Sequence, residues 1–273
     1  MKSIYSLFIS FLLISVPCRG MADPFDEYAA ASATYKRLVA EAALRNQLPR
    51  LSDPAVAEVL SVLTDHKRFL LGQDLKVADL QKLSEMCSVT ANASAAYYSF
   101  GVLNLPIESG PPRKKLSAEQ SKQLDTNFSI YRDEIIKLEP FIQRCSSKAV
   151  SLIQLYVLGA TEMDRDQIRL LAQVQYQTFS RFLVIAGFVA DVSLDMQIRK
   201  RLLDIMIEVS PSVIAVLTPP HRLSLIRYLE PIGDEMQDEM RSSIEEIVEA
   251  LKPDPCVGMC DLRKFAPTDQ QRR

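Results

Sequence analysis

The chain has no tryptophan, only two histidines and only eight glycines in 273 residues. Each scarcity removes a class of chemistry. After Gly20 the glycines stand at 72, 101, 110, 159, 187, 233 and 258, never closer than nine residues. A phosphate cradle or a dinucleotide fingerprint needs clustered glycines, so neither can be built here. His66 and His221 lie far apart in the chain, which rules out a zinc pair one helical turn apart. The Gly-x-Ser-x-Gly nucleophile elbow is equally absent. Asp65 precedes His66, but neighbours in a helix do not face one another, so the two make no dyad. His221 follows Thr218-Pro219-Pro220 in the first turn of a helix. Both histidines read as ordinary surface residues.

Strand signals are missing as well. No stretch alternates with a period of two, and the hairpin dipeptides Asn-Gly and Asp-Gly do not occur. Beyond residue 20, the longest apolar run is Phe182 to Ala190, nine residues, far short of the roughly 20 needed to span a bilayer. It reads as buried core helix, and no membrane span is expected.

What is present begins at the amino end. Lys2 supplies a positive charge, Tyr5 to Val16 (YSLFISFLLISV) is apolar and uncharged, Pro17 breaks the run, and small residues follow at Gly20 and Ala22. These are the three parts of a secretory leader. Residues 1–20 are therefore expected to be removed and the product exported, to a periplasm or to the medium. Removal takes Lys2 and Arg19 with it and leaves 253 residues carrying 30 basic and 34 acidic groups, a net charge of −4. Nucleic-acid binding is dominated by phosphate neutralisation, so that balance argues against such a partner. The basic runs Arg113-Lys114-Lys115 and Arg199-Lys200-Arg201 read as solvated surface. The sequons at Asn92 and Asn127 fall inside helical patterns and read as chance occurrences.

Cysteine usage agrees with export. Cys18 leaves with the leader, and Cys87, Cys145, Cys256 and Cys260 remain, an even number suited to an oxidising compartment. Pro17 beside Cys18 does not suit lipid attachment. Cys87 shares an apolar stripe with Leu80, Leu83 and Ala91, and Cys145 with Leu138, Ile142 and Ala149. Two inward-facing positions on neighbouring helices predict a bridge between them. Cys256-Val257-Gly258-Met259-Cys260 predicts a small disulfide loop exposed by Pro253 and Pro255. Its alternative is a Cu(I) site made of Cys256, Met259 and Cys260, since copper in that state prefers sulfur ligands. Met236 and Met240 read as flexible core fillers.

Helical signals recur nearly throughout. Asp23-Pro24 opens a helix running to about Arg45. Ser52-Asp53-Pro54 opens a second, and a third starts near Val77. Ser117 with Gln120 and Asp164 with Gln167 have the spacing of capping boxes. Pro140 is expected to kink or restart one helix, Ser193 and Ser210-Pro211 to start two more, and Pro231 with Gly233 to divide the last long one. The helix lengths vary and no residue pattern repeats at a fixed period, so an irregular bundle is a better reading than a solenoid. The fold class is all-α, an irregular bundle of roughly seven to nine helices. Its organisation is a leader (1–20), an N-terminal helical part (21–104), a Pro/Gly-rich loop (105–116), a C-terminal helical part (117–252) and a Cys-containing polar tail (253–273).

Asp234, Glu235, Asp238 and Glu239, with Glu245, Glu246 and Glu249 beyond, form a dense acidic stretch. It reads as a solvated helix face, relieved by the start of a helix after Gly233 and by Arg241 three residues past Asp238. No catalytic residue, cofactor or resident metal is assigned. The function expected is a non-enzymatic, exported binding protein that meets a protein partner through helix faces. The alternatives are a thiol-redox or Cu(I)-handling protein using Cys256 and Cys260, and a carboxylate-based enzyme.

Overall fold

A computed structural model of the chain describes residues 24–71, 73–102, 117–236, 238–252, 256 and 258–265. The leader segment and the 105–116 loop lie outside the described residues. Every regular element described is helical: α1 (Pro24–Ala43), α2 (Pro54–Leu63), α3 (Leu80–Ser99), α4 (Ala118–Ile130), α5 (Arg132–Leu158), α6 (Arg165–Ala190), α7 (Met196–Val216), α8 (Pro219–Asp234) and α9 (Asp238–Leu251). A π-helical turn at Lys67–Leu71 and 3-10 segments at Val77–Asp79 and Gly258–Phe265 bring the helical segments above the seven to nine expected.

The helix starts are set by short-range chemistry. Asp53 caps α2 by accepting from Ala55 N at 2.9 Å, with Pro54 in the first turn. Ser117 and Gln120 satisfy each other's backbone donors at 3.0 and 3.1 Å, as do Asp164 and Gln167 at 2.8 and 2.9 Å. Thr218 caps α8 through His221 N at 3.4 Å.

Interior boundaries differ from the expected ones. A restart at Pro140 does not occur: the break falls at Tyr131 (φ −107°, ψ 21°), and α5 runs through Pro140. Ile135, Leu138, Phe141, Ile142 and Cys145 are buried on both sides of that proline in one core. Their packing outweighs the single backbone donor that Pro140 lacks. Pro211 likewise sits inside α7, which starts at Met196 under an Asp195 cap rather than at Ser193. Pro231 and Gly233 stay within α8. α8 ends at Asp234 and α9 begins at Asp238, and Arg241 reaches back to donate to the Gly233, Asp234 and Met236 carbonyls. Arg241 therefore closes the end of α8 rather than answering Asp238.

One large core joins buried residues from α1 (Tyr28, Tyr35) to α9 (Ile247, Leu251). Through it α3 packs on α5, α5 and α6 on α7, and α8 on α9. Cys87 of α3 and Cys145 of α5 stand at disulfide distance, Cα–Cα 5.5 Å. A smaller cluster gathers Val150, Val157, Met163, Leu171, Val216, Met259 and Leu262.

Among the described residues the buried side-chain polar atoms other than Arg132 Nε, Glu134 Oε2 and His221 Nδ1 have hydrogen-bond partners, as an interior of low dielectric requires. Asn127 donates to the Tyr98 and Phe100 carbonyls at 2.7 Å each, which ties α4 to the end of α3. Arg199 donates to the Val189 carbonyl at 2.7 Å and is buried, so this member of the Arg199-Lys200-Arg201 run is interior rather than solvated. A guanidinium there answers the carbonyls left over at the end of α6. Lys200 pairs with Glu239. No described helix is long and apolar enough to cross a membrane.

Candidate functional site

Along α1 the residues Phe25, Tyr28, Ser32, Tyr35 and Val39 recur at helical spacing, and their face turns toward α3. Lys82 lies over the Phe25 ring, Nζ 5.2 Å from the centroid. The Tyr28 hydroxyl donates to the Met86 carbonyl at 3.1 Å, and the Tyr35 hydroxyl donates to that of Tyr97 at 3.0 Å. These pairs advance in the same sense along both helices, so α1 and α3 run parallel.

A groove of about 880 Å³ lies between them. Its lining runs from Phe25 to Val39 on α1 and from Gln81 to Ala96 on α3. Fourteen residue steps at about 1.5 Å each make the α1 wall roughly 21 Å long. Small side chains line it at Ala29, Ser32, Ala33, Ala93 and Ala96, and larger apolar ones at Phe25, Val39, Met86 and Val89. Asp26, Lys36, Lys82 and Glu85 put charges of both signs along it. Asn92, exposed on α3, is one of its polar lining residues.

The wall is held from behind by a polar relay. Tyr97, having accepted from Tyr35, donates to the Pro49 carbonyl at 2.8 Å. Glu134 of α5, also buried, accepts from Leu51 N at 2.6 Å and from Arg50 Nε at 3.1 Å. Arg50 in turn covers the Tyr131 ring. Burial raises the Tyr35 phenol to about 12 and pushes Tyr28 and Tyr97 higher still. All three therefore remain neutral donors at any physiological pH.

The tail forms a second locus. Cys256 and Cys260 stand at disulfide distance, Cα–Cα 5.6 Å. The segment expected to be exposed is docked between α5, α6 and α7, and Met259 is 0% exposed. Its backbone is pinned at both ends: Met259 N donates to Gln154 Oε1 at 3.0 Å, and the Met259 carbonyl accepts from the buried Gln175 amide. Gly258 has φ +76°, and a Cβ there would overlap the Gln154 amide, so the turn needs glycine.

The remaining residues singled out by sequence do not converge. His66 neighbours Arg144 and Glu208, and burial is the main cause lowering its pKa. His221 stacks on Phe179 at 4.6 Å, with its Nδ1 buried and unpaired, and burial lowers it too. Asp234, Glu235, Asp238 and Glu239 are exposed where α8 gives way to α9, and Glu245, Glu246 and Glu249 are exposed along α9. Among the described residues no group of three or more His, Cys, Asp or Glu is placed to hold a metal ion. The 3-4 spacing of apolar and aromatic residues on α1 was the signal available for the groove. Nothing comparable announced the glutamines that dock the tail. No family of known proteins matches the chain, and no curated protein or solved structure is significantly similar to it.

Proposed function

We propose that this is an exported, non-enzymatic binding protein that takes an amphipathic helix of a partner protein into the groove between α1 and α3. The groove itself carries the reading. It is long, bounded by two parallel helices, lined by small side chains that let a backbone approach closely, and walled by larger apolar ones. Helix-in-groove recognition uses this geometry, with anchors at i, i+3, i+4 and i+7 entering an apolar trench. Charges of both signs along the groove, Lys36 and Lys82 against Asp26 and Glu85, would fix the incoming helix's register more than its affinity. Export is supported by the composition of residues 1–22 and by two cysteine pairs at disulfide distance.

A photo-crosslinking side chain at Val89, compared with one at exposed Lys122 on α4, tests the reading in the producing cell. The expected result is an adduct from position 89 alone that maps to an amphipathic helical segment and disappears when Ala33→Glu is added. Equal adducts from both positions, or adducts that survive Ala33→Glu, would overturn it. N-terminal sequencing tests export separately: a start near Met21 or Asp23 outside the cytoplasm is expected, and an intact Met1 in a cytoplasmic pool would count against it.

A further inference from the structure

A second cavity, of about 1030 Å³, opens between the starts of α6 and α8 and the docked tail. Its charged lining residues are Arg165, Arg263, Lys264 and one acid, Asp261. The acid is already engaged: Arg263 Nε donates to Asp261 Oδ1 at 2.9 Å, and that bond holds the carboxyl below its ordinary range. Lys264 donates to the Cys256 carbonyl at 2.9 Å. A neutral carbonyl positions the ammonium without cancelling its charge. Arg165 is the first residue of α6 and is exposed. The flanking acids keep their charges, Asp164 capping the Gln167 N–H at 2.8 Å and Asp166 pairing with Arg169 at 3.1 Å, but neither lines the cavity.

The cavity wall thus carries a net charge of about +2, from three cations against one acid. Ile168, Ala172 and Leu262 supply apolar lining beneath the charges, which strengthens attraction at the mouth relative to open solvent. The potential is local, because the chain as a whole is acidic.

We propose that this cavity is a binding site for a multivalent oxyanion, a small molecule bearing phosphate or several carboxylates. It is separate from the α1–α3 groove and stands or falls independently of the helix-binding reading. The tail supplies two of its three cations, so the site exists only while Gly258–Phe265 is docked.

Calorimetric titration of the purified protein with pyrophosphate and with citrate, at low ionic strength, tests it. Saturable binding of at least one probe is expected. Binding of pyrophosphate alone would identify a phosphate-bearing ligand, and binding of citrate alone a carboxylate-bearing one. Arg165→Glu combined with Lys264→Glu should weaken that binding by about ten-fold or more. Lys122→Glu, at an exposed position on α4, should change it by less than about two-fold. All three positions are exposed, and an unchanged melting temperature would show that the fold is retained. No saturable heat with either probe would overturn the proposal. So would binding that ignores the Arg165 and Lys264 changes, or a loss equally large in Lys122→Glu, which would mark a diffuse field rather than a site.

Discussion

Tyr35 and Tyr97 meet hydroxyl to hydroxyl at 3.0 Å, and Tyr97 passes its own proton donation to the Pro49 carbonyl. The relay links α1, α3 and the turn before α2. It makes the back wall of the groove a hydrogen-bonded structure rather than a purely apolar contact. Both rings are buried.

The two ends of the relay should not be equivalent. Tyr97→Phe leaves the Tyr35 hydroxyl without its acceptor and the Pro49 carbonyl without its donor, and should cost about 1–3 kcal/mol. Tyr35→Phe leaves Tyr97 still donating to Pro49 and should cost less, about 1 kcal/mol. Urea denaturation of the two variants checks the order, and a larger loss in Tyr35→Phe would contradict the direction assigned to the relay.

Glu139 makes stability depend on pH in a direction opposite to most carboxylates. It is buried, accepts from Gln143 Nε2 at 2.5 Å, and is raised above its ordinary 4.5 mainly by burial, against the lowering effects of Gln143 and Arg181. The unfolded chain therefore releases this proton before the folded one does. Its contribution is complete below about pH 4.5 and is lost as pH rises through the folded-state value. Glu139→Gln keeps an acceptor for Gln143 and removes the titration. The variant should show a smaller loss of stability between about pH 4.5 and neutrality than the native protein. Chemical denaturation at several pH values reads the slope, and identical slopes would refute the assignment.

How much of this was legible in sequence depends on the range of the interaction responsible. Starts capped from within three residues, at Asp53, Ser117, Asp164 and Thr218, were readable because cap and helix are neighbours in the chain. The continuity of α5 through Pro140 was not. The cost of a proline is local, whereas the compensating burial of Phe141 and Cys145 depends on helices brought alongside in space. The apolar face of α1 was readable in principle from Phe25, Tyr28, Tyr35 and Val39. That this face stays partly open follows from where α3 settles, and one helix's pattern does not contain that. Tail docking is the extreme case: Gln175 and Met259 are 84 residues apart, and an isolated methionine between two cysteines gives no sign of its seat.

The pairing of Cys87 with Cys145 carries a thermodynamic consequence. The cross-link spans 58 residues, and in the chain-entropy model a loop of that size stabilises by about 4 kcal/mol. Cys87→Ala with Cys145→Ala should lower stability by a large part of that amount while leaving the helical signal intact. Non-reducing peptide mapping should join the peptides containing 87 and 145 to each other. A link from either to 256 or 260, or free alkylatable thiols, would refute the pairing.

The tail should behave as a separable unit whose loss costs less than its burial implies. Met259 fills a seat among Val150, Val157, Met163, Leu171 and Val216, and a buried methionine in a continuous core costs about 2–5 kcal/mol when cut to alanine. Here the segment can leave instead of bearing the cavity. The cost to the whole molecule is then capped at the docking energy of Gly258–Phe265, and global unfolding should shift by less than that range. Local opening should shift by more, because elements with few anchors open independently of the core. Met259→Ala, Gln175→Ala and the Cys256→Ser, Cys260→Ser pair should each raise amide exchange across 258–265, and at the Met163 N–H, which donates to the Phe265 carbonyl at 2.9 Å. Exchange in α3 and in the Ile135–Cys145 part of α5 should remain unchanged. If Met259→Ala instead lowered global stability by the full core value without faster exchange in the tail, the segment would be an integral part of the bundle rather than a docked one.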